Sequence, residues 1–296
     1  MKKEYLLGLM TVLFWSTSAT AFELTLRYLD VFQVLFYGII TSTVILGAYL
    51  KITGKFDNVF GLRQREYGFY LGLGCLNPLV YYLMVIKAYD LLPAQIVQPI
   101  NYTWVITLSL MAVPLLKQPL GKIQMIATLI SYAGVVVISL KGQGGAGEPM
   151  NYWGVILAVG CTLIWALYWI LNIRSWQDPV VVIFLNFFFS IPLAALLCSV
   201  FSSVLVSDPK GLLGAVWIGC FEFGFAFITW ITALKLSGNT GRVANLVFLT
   251  PFVSLIFIYF ILGEVIKART WAGLLLILTG IGIQKIQEFK MASKAV

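Results

Sequence analysis

The residue in this 296-residue chain best suited to chemistry is Glu222, in the run Cys220-Phe221-Glu222-Phe223-Gly224-Phe225, with no basic residue nearer in sequence than Lys210 and Lys235. A carboxyl set among rings can take up and release a proton, or it can act as counter-ion to an amine. A second group is Gln95, Gln98, Asn101 and Tyr102 around Pro99. On a helix turning about 100° per residue, positions 95, 98 and 102 share a face and Asn101 flanks it. Amides there can hydrogen-bond a zwitterion or hydroxyls, and Pro99 frees a backbone carbonyl for the same use. Asn77-Pro78 with Tyr81 one turn on, Asn186, and Asn245 followed a turn later by Phe248 extend the polar set. Trp15, Ser18, Trp165, Tyr168 and Trp169 add rings and hydroxyls that can stack an aromatic side chain or hold an ammonium by cation–π attraction. Each has a plainer reading too: amides join helices at about 1 kcal/mol apiece, and a neutral acid can simply bond a neighbouring helix.

The elements that carry these residues must cross a membrane. Of the residues, 60% are apolar and 11% charged, and mean hydropathy is +0.93, whereas soluble domains run near 25% charged. The chain has no His, which excludes His-based triads, His-ligated zinc and imidazole relays. Cys75, Cys161, Cys198 and Cys220 lie in apolar runs without CxxC spacing, so they read as small hydrophobes and not as metal or redox sites. No metal and no cofactor is expected. A Walker GxxxxGK[ST] sequence is absent, and the glycines at 142–147 lack its Lys-Ser/Thr ending, so nucleotide-driven pumping is not expected.

Apolar runs separated by short breaks predict ten spans, at about 5–24, 32–50, 67–87, 94–114, 120–140, 152–172, 180–201, 211–234, 243–262 and 270–287. Lys2, Lys3, the apolar stretch and Ala19-Thr20-Ala21 imitate a secretory signal, but the apolar run continues through Leu24 and reads as the first span. With the N-terminus inside, 14 of the 20 Lys and Arg fall on the inner side and six, Arg27, Lys87, Lys141, Lys210, Lys267 and Arg269, on the outer. The positive-inside rule then places both termini in the cytoplasm of a multi-pass protein of the cell inner membrane. The net charge of +8 is thereby explained by topology, without nucleic acid. Trp153, Trp176, Trp217 and Trp271 lie near span ends and read as interfacial anchors.

The two halves resemble each other. Shifted by 146 positions, residues 118–138 fall on 264–284, pairing Gln118 with Glu264, Leu129 with Leu275 and Gly134 with Gly280. Trp15 and Trp165 hold comparable places, as do Asp30-Val31 and Asp178-Pro179. A five-span unit ends on the side opposite its start, so its copy enters the membrane inverted. Inverted repeats enclose a site near the bilayer midplane and expose it to each side in turn by rocking. The expected organisation is an all-α integral membrane protein of ten transmembrane helices, with a first repeat at 1–141, a Gly-rich periplasmic linker at 142–151 and a second repeat at 152–296.

Trp230-Ile231-Thr232-Ala233-Leu234-Lys235, Leu249-Thr250-Pro251-Phe252, Leu262-Gly263-Glu264, Trp271-Ala272-Gly273 and Gly280 together resemble the EamA repeat of the drug/metabolite transporter superfamily. The first half is similar but more divergent: Ala88-Tyr89 and Gly134 fit, Trp104-Val105 stands where Leu-Thr-Pro would, and Gln118 replaces the acid. The resemblance implies ten helices and export or uptake of small metabolites. It leaves the solute open among amino acids, nucleotide-linked sugars, cations and others. Combined with the buried acid and amides, it leads to an expected secondary transporter, an exporter of a small polar metabolite such as an amino acid or related amine. Its partners would be that solute, the lipid bilayer and protons, as a monomer or a homodimer. The alternative is a multidrug or organic-cation exporter with Glu222 as the proton- or cation-coupling acid. A lipid-modifying membrane enzyme would need clustered acids, bases or metal ligands, and the acids here are scattered. A non-transporting scaffold would have a packed centre without a cavity.

Overall fold

The computed structural model describes residues 2–117, 121–139, 150–172, 175–237, 243 and 245–292. The described elements are helical, as lipid demands: a helix satisfies its backbone groups within the segment. The first half folds as α1 (Lys3–Leu26), α2 (Val31–Ile52), α3 (Gln64–Leu91), α4 (Ala94–Leu116) and α5 (Lys122–Ser139). The second folds as α6 (Tyr152–Asn172), α7 (Pro179–Phe201), α8 (Pro209–Leu236), α9 (Leu246–Leu262) and α10 (Ala268–Ala292). Seven are long and apolar enough to cross a membrane, and shorter apolar stretches at Met125–Ile138, Leu246–Leu262 and Ala268–Ile283 complete ten. Gln118 and residues 142–149 of the linker lie outside the described residues. Ala19 and Thr20 of the signal-like sequence are buried within α1. Trp153, Trp176, Trp217 and Trp271 are all exposed, as anchors at the membrane boundary should be, and the four cysteines are free thiols.

The halves obey one symmetry. The Ser131 hydroxyl donates to the Ile277 carbonyl, at 3.0 Å, across a separation of 146 residues. Position 131 thus touches its own repeat partner, which happens only where the twofold axis passes between α5 and α10. The flanking glycines agree. A Cβ on Gly134 would lie 2.5 Å from the Gly273 carbonyl, and one on Gly280 would strike the Ala127 carbonyl. These two contacts exchange under the same shift of 146, and absent side chains let the backbones meet. The starts of α2 and α7 match as well. Asp30 accepts from the Phe32 and Gln33 amides, and Asp178 from the Val180 amide, each carboxylate satisfying orphan N–H groups at a helix start.

On one face of the bundle Asp178 also joins the halves, accepting from Lys55 at 2.7 Å and from Lys235 at 3.0 Å. Burial opposes the Asp178 charge, but the two lysine hydrogen bonds outweigh it and hold the carboxyl at about 2. The same hydrogen bond raises Lys55. A depressed carboxylate adds stability above its unfolded value, here 3.8, and loses it as pH falls toward about 2. Asp178→Asn, which keeps the helix cap, is expected to cost about 1 kcal/mol at neutral pH. The measurement is a thermal midpoint in detergent, and the gap from wild type should close as pH falls through that window.

Two helices are interrupted at the centre. Within α3 a π-helical stretch, Cys75–Val80, carries Asn77 in an extended conformation at φ −144°. Pro78 has no N–H, so the Gly74 carbonyl four residues earlier lacks its helical donor, and the Ser190 hydroxyl of α7 donates to it at 3.0 Å. In α4 the helix stops at Asn101 and resumes at Trp104. Backbone that leaves the regular helical pattern is tolerable in a membrane only against protein or a cavity, and Asn77, Tyr102 and Thr103 at these breaks are all buried.

Candidate functional site

Between the halves lies a cavity lined by Trp15, Ser18 and Phe22 of α1, Tyr81, Val85 and Tyr89 of α3, Gln98, Asn101, Tyr102 and Trp104 of α4, Trp165 of α6, Glu222 of α8 and Val247 of α9. Helices 1, 3 and 4 of one repeat thus face helices 6, 8 and 9 of the other, the same three positions from each copy. The open space at its centre is about 50 Å3, enough to hold water.

Glu222 sits on a π-helical stretch, Ile218–Phe225; such wide turns displace side chains from the regular helical face and recur at functional sites. Both carboxyl oxygens are engaged. The Ser18 hydroxyl donates to Oε2 in a short contact, and the Tyr82 hydroxyl donates to Oε1 at 3.1 Å. Among the described residues, the lining contains neither Lys nor Arg. Hydroxyl donors with no fixed cation among the described residues leave the site able to accept a proton or an ammonium, since a buried carboxylate with no positive partner is costly. The amides stand opposite. The Asn101 Nδ2 donates to the Tyr81 hydroxyl at 3.1 Å, and the Tyr89 hydroxyl donates to Gln98 Oε1. Gln98 Nε2 has no protein acceptor among the described residues and remains available to a solute.

Rings close the site on both sides. On the Lys55 side, Trp15 packs on Trp230 with centroids 5.6 Å apart, joined by Tyr102, Val247, Phe248 and Leu234. The Thr11 and Thr229 hydroxyls pair at 2.8 Å beyond them. On the opposite side, Phe22 stacks on Tyr89 at 5.4 Å, and Tyr89 also lines an outer crevice with Glu23, Arg27 and Asp90. Tyr89 is thus shared by that crevice and the cavity.

Of the residues singled out by sequence, Trp15, Ser18, Tyr81, Gln98, Asn101, Tyr102, Trp165 and Glu222 meet in the cavity, and Phe248 packs in the ring cluster beneath it. Gln95 does not reach it. One turn above Gln98, its amide is consumed by Glu264 and Val265 of the α9–α10 turn and by Thr270 in the first turn of α10. Tyr168, Trp169 and Asn186 form a layer behind Trp165, whose ring lies 5.9 Å from Tyr168 and 5.8 Å from Trp169. With Nδ2 turned toward the Tyr70 and Val182 carbonyls, Asn186 accepts from the Tyr168 hydroxyl at 3.1 Å. Asn77 is fully buried at the α3 kink. Asn245 opens a short 3-10 turn, Asn245–Leu249, and its side chain lies outside the described residues. Sequence reasoning passed over Phe22, Tyr82, Val85, Tyr89, Trp104 and Val247 as site residues. Helical spacing held a signal for several of them: Trp15, Ser18 and Phe22 stand at i, i+3 and i+7, and so do Tyr82, Val85 and Tyr89.

Comparison with known proteins agrees with this architecture. The EamA-like transporter family model matches residues 2–140 and again 152–283. An uncharacterized transporter of Bacillus subtilis, YvbV, is 26% identical over 278 residues, 91% of this chain and 87% of its own length. An uncharacterized transporter of Clostridium kluyveri is 24% identical over 294 residues, covering 95% and 92%. A crystal structure superposes with a TM-score of 0.69 over 97% of this chain and 98% of the other, at 21% identity, which shows the shared fold. Two matches to one family model, one per half and joined by internal symmetry, establish that the chain is a membrane transporter belonging to the EamA-like transporter family.

Proposed function

We propose that the protein is a secondary transporter, an exporter of a small amine-bearing metabolite such as an amino acid or a related amine, working by alternating access between its inverted repeats. The observation that carries this reading is Glu222, bonded by Ser18 and Tyr82 in a central cavity with no basic residue among the described ones. An ammonium seated on Glu222 would lie among Trp15, Trp165, Tyr81 and Phe22, where cation–π attraction adds about 0.5–2 kcal/mol. The other end of the solute would meet Gln98 Nε2 and the Asn101–Tyr81 pair. A phosphate or dicarboxylate would meet an acid and no cation among the described lining residues, at a desolvation cost they do not offset. Proton and ammonium compete for the same carboxyl, so one replaces the other and proton–substrate exchange follows. The Lys and Arg distribution, 14 against six, supports a protein of the cell inner membrane with both termini in the cytoplasm.

The same absence of a base among the described residues favours a second reading, an exporter of organic cations, because a zwitterion's carboxylate finds only neutral donors among the described lining residues. Proteoliposomes assayed in both directions with labelled amino acids, monoamines, quaternary ammonium ions and phosphorylated solutes separate the two. Flux of amines or amino acids supports the first reading. Flux confined to permanent cations supports the second, and flux of none of them, or of phosphates alone, overturns both.

A further inference from the structure

The polar residues above the cavity are joined across the repeats. The Ala94 amide, at the start of α4, donates to Glu23 Oε2 at 3.2 Å and to Glu264 Oε1 at 3.1 Å. The Gln95 Nε2 donates to Glu264 Oε2 at 2.8 Å and to the Val265 carbonyl at 3.2 Å. Gln95 Oε1 accepts from the Lys267 amide and the Thr270 hydroxyl, both at 3.1 Å. Every one of the Gln95 side-chain bonds runs to the second repeat, and Gln95 is 6% exposed. Gly263 ends α9 at φ +71°, a left-handed geometry that glycine adopts without strain, and the chain leaves it with Glu264 at the start of α4. The clasp ties α4 and α1 of the first repeat to the α9–α10 turn of the second. Its Glu23 follows Phe22 in sequence and lines the outer crevice with Tyr89.

We propose that Glu23, Glu264 and Gln95 are the outer latch of the transporter, closed when one proton is shared by the two carboxyls and released when that proton leaves. The proposal rests on the alternating-access reading above. Its physical basis is that two carboxylates accepting from one N–H repel each other unless a proton lies between them. Residues 94 and 95 also supply free N–H groups and the positive end of a helix dipole, which reward an acceptor there. The other charged residues on the elements around the pair are Arg27 one turn along α1, Lys87 and Asp90 near the end of α3, and Lys267 and Arg269 beyond Glu264. As pH rises the shared proton is lost, like charges face each other, and α4 parts from the turn.

The test reads access to the cavity and needs no substrate. In the full-length protein with Cys75, Cys161, Cys198 and Cys220 replaced by Ala, Val85→Cys places a thiol in the cavity wall. In outward-facing proteoliposomes, its rate of modification by a membrane-impermeant maleimide reports outer opening. Glu264→Ala, which removes the clasp, is expected to raise that rate about ten-fold at pH 6, and Gln95→Leu to raise it in the same direction. Glu264→Gln keeps an acceptor for Ala94 and cannot ionise, so it should stay closed at every pH. The ratio of the wild-type rate to the Glu264→Gln rate cancels the thiol's own ionisation, and it should rise about ten-fold between pH 6 and pH 9. Unchanged labelling in both Glu264→Ala and Gln95→Leu, or a ratio flat with pH, overturns the latch. Because labelling is independent of solute, a responsive latch in a protein that moves no amine counts against the substrate reading alone. Amine transport with flat labelling counts against the latch alone.

Discussion

Glu222→Gln is expected to lower amine transport about 100-fold and to flatten its dependence on pH. The substitution keeps shape and an acceptor oxygen for Ser18 or Tyr82, but it removes the charge that binds an ammonium and the group that exchanges a proton. Losing one partner of a buried charge pair costs about 2–5 kcal/mol, and about 2.7 kcal/mol corresponds to 100-fold. Ser18→Ala and Tyr82→Phe each remove one neutral donor to the same carboxyl, an effect of about 1 kcal/mol or five-fold. The check is initial-rate transport in proteoliposomes with imposed pH gradients, across all three variants. Undiminished flux in Glu222→Gln with an unaltered pH profile would remove both the coupling and the counter-ion roles and leave the acid as a helix-joining group.

The second large effect concerns the symmetry axis. Gly280→Val is expected to prevent assembly of the folded protein, because a side chain at 280 would run into Ser131 and the Ala127 carbonyl. The obstacle is backbone, which cannot swing aside as a flexible side chain can, so the cost exceeds the about 1–3 kcal/mol of ordinary overpacking. Gly134→Val meets the mirror-image obstacle, the Gly273 carbonyl at 2.5 Å, and should fail in the same way. Gly282→Val is the control, two residues along the same helix but with nothing within 4 Å of the added carbon. Size-exclusion profiles and thermal midpoints in detergent measure the outcome. If Gly280→Val and Gly282→Val behave alike, α5 and α10 are not held together as described.

Much of this was legible before any coordinates. The run of apolar segments sets helix number because lipid permits few alternatives, and the register of 146 survives into the Ser131–Ile277 contact. Glu222 announced itself as a carboxyl with no basic neighbour in sequence, and Trp15 and Trp165, matched as repeat partners, both reach the cavity. Local patterning carried these because burial in lipid acts on each segment separately.

What linear order could not reveal was which polar groups would meet. Ser18 and Tyr82 reach Glu222 from 204 and 140 residues away, and no spacing rule links them. Gln95 shares a helical face with Gln98, yet it serves the clasp and not the cavity, because one turn of rise carries it to the level of Glu264. Composition and periodicity dictate helices, their number and their inverted duplication, since each follows from the exchange of water for lipid along a short stretch of chain. The meeting of one acid, two hydroxyls and a ring of aromatics depends on how ten such helices pack, and long-range geometry alone assigns the partners.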